Sequence, residues 1–111
     1  MLFALEVIRL VESSEPGLTR RVVASQLVRC ATSVAMNYRA AQRAQSTADF
    51  IKKLKIVEEE ADETCGWLEI IQRAGLMPKK DTTALSKEAN EITAIVVASI
   101  KTARQRKQEG G

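Results

Sequence analysis

The most constraining feature of the sequence is a long apolar stripe between residues 47 and 74. Its members are separated by four and three positions in unbroken alternation, which places them all on one face of an α-helix. A stripe of this length predicts a long helix that buries one face against other helices, as in a bundle. The stripe consists of Phe50, Leu54, Val57, Ala61, Thr64, Leu68 and Ile71.

Three further segments have helical periodicity, and short stretches of helix-breaking residues separate them. Pro16 ends the first segment, Ser46 is a predicted N-cap of the third, and Gly75 is a predicted C-terminal stop of the third. The tail, residues 108–111, is expected to fray. Four helices with short connections predict one all-α domain over residues 1–111, an antiparallel up-down-up-down four-helix bundle. The predicted helices cover residues 2–12, 18–44, 47–74 and 81–106.

Composition argues against several classes of function. The chain has 111 residues, 45% of them hydrophobic and 28% charged, which is typical of a globular domain. It has no histidine, and its two cysteines do not have the spacing of metal ligands. No glycine-rich phosphate loop or nucleophile motif occurs. We therefore predict a protein that is not an enzyme and that uses no cofactor and no metal.

The N-terminal segment is apolar, but it does not have the pattern of a signal peptide. Glu6 and Arg9 interrupt it, and no basic region precedes it. No apolar run approaches the roughly 18 residues that a membrane span requires. We expect a cytoplasmic protein with no membrane partner.

The charges are unevenly distributed along the chain. Residues 1–55 carry nine basic and four acidic side chains, residues 56–78 carry one and six, and residues 79–111 carry seven and four. In the up-down order, the C-terminus of helix four lies near the turn between helices two and three, so basic residues collect at one end. Such a cluster could hold phosphates, although an ordinary solvated helix end is the alternative. The candidates are Arg39, Arg43, Lys52, Lys53, Lys55, Lys101, Arg104 and Arg106.

A polar network is expected between helices two and three. Antiparallel pairing around a turn near Ser46 places Arg29 close to Asp62 and Glu63, and Asn37 could join them deeper in the bundle. An ion pair of this kind fixes register more than it adds stability. A carboxylate metal site is the less favoured alternative, because the chain has no histidine to complete it.

Helices one and four have more apolar surface than one core requires. The surplus side chains predict an interface between subunits. The single tryptophan is predicted to pack in the core or at that interface and not to form a ligand platform. The interface candidates are Leu5, Ile8, Trp67, Ile95, Val97 and Ile100.

Several segments resemble a known bacterial family, the four-helix-bundle proteins encoded in 23S rRNA intervening sequences. The segments are residues 26–40, 49–54, 59–64 and 67–69, and the similarity extends over roughly residues 5–104. The resemblance implies a ring-like homopentamer and a family in which most members have no established biochemical activity. The accessory variability protein of diversity-generating retroelements is similar in fold, and this similarity implies a basic surface that engages nucleic acid and a reverse transcriptase.

Two hypotheses for the function follow from the sequence. The first is a non-catalytic, homo-oligomeric scaffold whose basic surface contacts RNA or DNA, as an accessory to a nucleic-acid enzyme such as a reverse transcriptase. The alternative is a purely structural protein–protein interaction module with no role in nucleic-acid binding. Loss of binding when basic residues are replaced, together with a steep salt dependence, distinguishes the first from the second.

Overall fold

The structure, a computed structural model, describes residues 1–14 and 16–110. These residues form four α-helices and no strand, and the rod they make measures 53 × 20 × 19 Å. Within the described residues, no helix combines the length and apolar character that a membrane span requires. The helices are α1 (Leu2–Ser13), α2 (Leu18–Gln42), α3 (Thr47–Arg73) and α4 (Lys79–Gly110).

Contacts between side chains show that α2 and α4 both run antiparallel to α3. Arg29 in the middle of α2 pairs with Glu63 in α3, and only four residues connect the two helices. The Cys65 thiol donates to Asn90 Oδ1 in α4 at 3.6 Å. Both α2 and α4 pack along α3, and α1 packs against α2 and α4. The predicted all-α four-helix fold is therefore confirmed.

The ends of α3 have the capping interactions that the sequence predicts. The Ser46 Oγ accepts a hydrogen bond from the Asp49 backbone N–H at 3.0 Å. At the other end, Gly75 adopts a positive φ of 68°. The Leu76 N–H then bonds the Ile71 carbonyl at 3.1 Å, which closes the helix in a Schellman motif.

The predicted bounds of α4 are too short at both ends. The helix begins at Lys79, because the Pro78 carbonyl accepts hydrogen bonds from the backbone N–H groups of Asp81 and Thr82 at 3.1 and 3.2 Å. At its C-terminus the tail is helical through Gly110. No proline or other glycine lies between Lys79 and Gly110. Cationic side chains near the C-terminus of a helix also interact favourably with the helix dipole. Gly111 lies outside the described residues.

The core consists of two clusters that differ in the number of helices around them. The four-helix half is centred on Phe3, Val7, Leu27, Leu68 and Leu85, with side chains from every helix. The three-helix half, nearer the α2–α3 turn, contains side chains of α2, α3 and α4 only. In the described residues, α1 has 12 residues whereas α4 has 32. The buried residues of the three-helix half are Val34, Ala41, Leu54, Val57, Ala61, Val96 and Ile100.

Candidate functional site

Three basic side chains from two helices lie in one groove. Lys55 of α3 faces Lys101 and Arg104 of α4, and all three are exposed. Lys101 and Arg104 are three residues apart, so they project from the same side of α4. Glu58 is the acidic member of the groove, which leaves an excess of positive charge. We call this surface the basic groove.

The other basic candidates lie at the same end of the rod but on other surfaces. Arg106 lies beside Ser46 and Thr47 at the α2–α3 turn, so the C-terminus of α4 reaches the expected end. Arg39 and Arg43 are exposed on α2, which packs against α3 on a different side from α4. Of the eight candidates, Lys55, Lys101 and Arg104 are the ones that line the basic groove.

Lys52 and Lys53 lie in the first two turns of α3, and their exposure differs. Lys52 is exposed, whereas Lys53 is partly buried. Its aliphatic stem can cover apolar surface while its ammonium group reaches solvent. Of these two residues, Lys52 is the better placed for contact with an external phosphate.

The lining of the basic groove determines what it can recognise. Apart from the charged residues it consists of Val97, Ile100, Gln105 and Gln108, with no aromatic side chain among the described residues that line it. Aromatic rings are the usual platform on which bases stack, so this lining favours contact with phosphates over readout of bases. Tyr38, the aromatic nearest to the basic candidates in sequence, lines a different cavity.

Arg29 lies at the centre of a charged cluster on the α2–α3 surface. Its guanidinium contacts Glu60 at 3.1 Å and also pairs with Glu63, and its Nε donates to Gln26 Oε1 at 3.0 Å. The Arg29 and Glu63 side chains are each nearly half exposed. An ion pair at this exposure aligns the two helices but adds little stability.

Two members of the expected network are placed differently. Asp62 is exposed, and the carboxylates that pair with Arg29 are Glu60 and Glu63, which are three residues apart and share a helix face. Asp62 is rotated about 100° from Glu63 around the helix axis. Asn37 donates to the Ser33 carbonyl at 2.9 Å within α2, so its amide is satisfied locally.

Cys30 is a member of the charged cluster that sequence reasoning missed. Its buried thiol donates to Glu63, and its sulfur accepts from Arg29 at 3.1 Å. Burial raises the pKa of the Cys30 thiol, and the nearby Arg29 opposes that effect. The thiol therefore stays protonated and acts as a hydrogen-bond donor to the carboxylate.

The same cluster could be considered as a metal site. Cys30, Glu60 and Glu63 each offer a ligand atom, and these atoms lie within 4.8 Å of one another. The Arg29 guanidinium, however, contacts both carboxylates and the sulfur. The positive charge of this guanidinium would repel a metal cation. The geometry favours an ion-pair cluster.

The predicted interface residues fall into exposed and buried groups. Leu5, Ile95 and Val97 are exposed, by 41%, 60% and 46%. Ile8 and Trp67 are partly buried, and Trp67 packs against the core of the four-helix half. The assignment of Ile100 to an interface is wrong, because that side chain is 5% exposed and belongs to the three-helix core.

Sequence reasoning also missed an exposed apolar surface on α2 and α3. The Arg29–Glu63 pair sets the register of α2 against α3. Val22 lies seven residues before Arg29, and Ile70 lies seven residues after Glu63. Because the two helices are antiparallel, Val22 and Ile70 lie at the same level of the rod. Both are about half exposed, as is Met36 further along α2. The available signal was the four-and-three spacing of apolar residues from Val23 to Val34, which leaves Val22 and Met36 on another face of α2.

The sequence matches a known protein family over most of its length. The family model described as 23S rRNA-intervening sequence protein matches residues 1–98. The chain belongs to this family. A solved structure with the same fold is a protein with unknown function from the S23 ribosomal protein family of Bacteroides thetaiotaomicron. It is 32% identical, the match covers 90% of this chain and 93% of that one, and the TM-score is 0.83.

Family membership confirms the resemblance found in the sequence but does not assign an activity. No curated protein matches the chain. The 23S rRNA-intervening sequence protein family is not a known enzyme family, and the neighbour's function is unknown. The family match ends at residue 98, so Lys101, Arg104 and Arg106 lie beyond it. The family match therefore does not include two of the three basic residues of the basic groove.

Proposed function

We propose that this protein is a non-catalytic, homo-oligomeric scaffold whose basic surface contacts RNA or DNA as an accessory to a nucleic-acid enzyme. The observation that carries the proposal is the basic groove, in which Lys55, Lys101 and Arg104 converge from two helices. Rigid helices hold these charges at fixed separations, which suits a regularly spaced phosphate backbone. The absence of an aromatic side chain from the described lining favours binding that does not depend on sequence.

Self-association would strengthen this weak monomeric site. The formal net charge of one chain is only +3. A closed ring of five copies would repeat the basic groove around one axis and raise the local potential. The exposed apolar side chains Val22, Met36 and Ile70 support a subunit interface on the α2–α3 surface. Light scattering is expected to give a mass well above the 12.2 kDa of one chain, with about five copies for the pentamer.

The binding test uses fluorescence anisotropy with a structured RNA and a duplex DNA, at about 50 and 200 mM salt. The Lys101→Gln/Arg104→Gln variant removes two charges from the basic groove. The matched control is Lys79→Gln/Lys80→Gln, which removes two exposed lysines at the opposite end of the same helix. We expect the groove variant to bind at least about 10-fold more weakly, with a salt slope lower by about one per lost phosphate contact.

Two results would contradict the proposal. The first is an equal loss in the groove and control variants, because that would reflect net charge alone. The second is no binding by the unaltered protein at 50 mM salt. The alternative, a protein–protein interaction module, then becomes the better explanation. The exposed apolar surface of Val22, Met36 and Ile70 is the observation that favours it.

A further inference from the structure

One outer edge of α2 presents two apolar side chains with a cation between them. Val22, Arg29 and Met36 follow one another at intervals of seven residues, and each is about half exposed. Seven residues are nearly two turns of an α-helix, so the three side chains project in almost the same direction. We call these residues the α2 edge, which extends over about 21 Å along the rod.

The adjoining edge of α3 has the same pattern with the opposite charge at its centre. Ile56, Glu63 and Ile70 are also seven residues apart. Glu63 and Ile70 are nearly half exposed, and Ile56 is partly buried. We call these residues the α3 edge. The two edges are therefore complementary in charge at the centre and apolar at both ends.

The ion pair between Arg29 and Glu63 joins the centres of the two edges. Because α2 and α3 are antiparallel, Val22 and Ile70 lie at the same level on one side of this pair, and the other two apolar ends lie level on the opposite side. A second copy that lies alongside at the same level, with its rod pointing the same way, can set its α3 edge against the α2 edge of the first. Apolar side chains then meet apolar side chains, and Arg29 meets Glu63 of the second copy.

The charges also indicate the relative direction of the two rods. Rods that point in opposite directions in a closed pair are related by a two-fold axis perpendicular to them, which sets α2 against α2. Arg29 would then face Arg29 of the second copy, and like charges across an interface repel. Rods that point in the same direction avoid this repulsion, because α2 then faces α3.

Gly66 is an independent feature of the α3 surface that one chain alone does not explain. It is exposed in the interior of α3, three residues from Glu63 on the same side of the helix. Glycine is less favourable than alanine in the middle of a helix. Apart from its own helix, no heavy atom of the described residues would lie within 4 Å of a Cβ added there. Close approach by a helix of a second copy accounts for the glycine.

We propose that the α2 edge of one copy packs against the α3 edge of a second copy, with the two rods side by side and pointing in the same direction. The Arg29–Glu63 pairing within each chain is thereby extended to the neighbouring chain. This inference rests on the homo-oligomeric part of the proposed function and specifies the contact between subunits. Nucleic-acid binding concerns a different surface, the basic groove between α3 and α4.

The first test measures self-association of the full-length protein by analytical ultracentrifugation over a range of concentrations. Gly66→Gln fits the single chain but adds a side chain at the proposed contact, so we expect at least about 10-fold weaker association with unchanged helical content. Val22→Glu places a carboxylate among apolar side chains and should have an effect of similar size. Ala94→Gln and Ala94→Glu are the matched controls, because Ala94 is exposed within α4 and lies outside both edges. We expect the controls to associate like the unaltered protein.

Charge reversal tests whether the ion pair also forms between copies. The reversed side chain of Arg29→Glu would face Glu63 of another copy, and that of Glu63→Arg would face Arg29. Each variant alone should therefore associate at least about 10-fold more weakly. In an equimolar mixture each reversed charge can face an opposite one, so association between the two variants should return to within about threefold of the unaltered protein.

Two results would overturn this pairing and leave the proposed function standing. One is an oligomer in which Gly66→Gln and Ala94→Gln have equal effects on association. The other is a mixture of the charge-reversed variants that associates no better than either variant alone. A mass of 12.2 kDa for the unaltered protein at every concentration would contradict both this pairing and the homo-oligomeric scaffold. Nucleic-acid binding is measured separately with the Lys101→Gln/Arg104→Gln variant.

Discussion

The two halves of the rod have the same kind of core but differ in how completely it is enclosed. In the four-helix half, α1 covers the side between α2 and α4, and Leu27 and Ala89 are fully buried there. In the three-helix half no helix of the described residues covers that side, and Tyr38 on the same face of α2 is 43% exposed. Burial along one helix face is therefore determined by the neighbouring helices as well as by the periodicity of the sequence.

The largest expected effect tests whether the two cores differ in rigidity. Leu68 belongs to the four-helix half and Leu54 to the three-helix half, and both are at most 1% exposed. Truncation leaves a cavity whose cost depends on how far the surroundings can relax. We expect Leu68→Ala to lower the free energy of unfolding by about 4–5 kcal/mol and Leu54→Ala by about 2–3 kcal/mol.

Urea denaturation followed by circular dichroism measures both values. The chemistry of the substitution is the same at the two sites and both lie in α3, so each variant is the control for the other. If Leu54→Ala is as costly as Leu68→Ala, the open side does not allow the three-helix core to relax.

A second prediction concerns the contact between α1 and α4, which exists only in the four-helix half. Burial and the nearby Glu6 carboxylate raise the pKa of Glu88 to about 7, with Glu91 adding to the effect and the N-terminal ammonium group opposing it. Glu88 holds its proton more tightly in the folded state than in the unfolded state, so its protonation stabilises the fold. This stabilisation is fully present below the unfolded pKa of 4.5 and is lost as pH rises through 7.

The free energy of unfolding should therefore fall between pH 4.5 and 7.5 by on the order of 1 kcal/mol, since solvent near the surface weakens the repulsion. Urea denaturation at several pH values measures the slope. Glu88→Gln should remove most of this decline, whereas Glu59→Gln on the exposed side of α3 should not. An unchanged slope in Glu88→Gln would show that repulsion at this contact does not limit the docking of α1.

The sequence was most informative where local chemistry alone determines the structure. The Ser46 cap and the Gly75 stop follow from hydrogen bonds and backbone freedom within a few residues, and both were predicted. The bounds of α4 depended on a weaker signal. Pro78 indicated where α3 could not continue, but the hydrogen bonds its carbonyl accepts from the next turn also start α4 early.

Predictions of contacts between helices were less accurate, because small angular differences change the partner. The short α2–α3 turn was enough to bring Arg29 to the correct region of α3, and the structure pairs it with Glu60 and Glu63. Asp62 lies one residue from Glu63 but projects elsewhere. Ile100 was assigned to an interface because the width of the core stripe on α4 cannot be read without knowing which helices pack on it.

A third prediction is that the Arg29–Glu63 pair adds little stability although it links two helices. Both side chains are nearly half exposed, so we expect a coupling free energy of at most about 1 kcal/mol. A double-mutant cycle with Arg29→Gln and Glu63→Gln, measured by urea denaturation, gives this coupling. A coupling above about 2 kcal/mol would mean that the cluster, including the Cys30 thiol, is far less hydrated than its exposure suggests.

The smallest expected effect is at Ile95, and it tests whether the three-helix half is open in solution. Ile95 is 60% exposed, and a lysine at that position can extend its ammonium group into water. If nothing covers this side of the three-helix half, Ile95→Lys should change the free energy of unfolding by no more than about 0.5 kcal/mol, independently of protein concentration. A larger loss that grows with protein concentration would mean that another copy completes the core there, because burial against a second chain adds to stability by mass action. The measurement thus shows whether this side of the three-helix half is exposed to solvent or covered by a second chain.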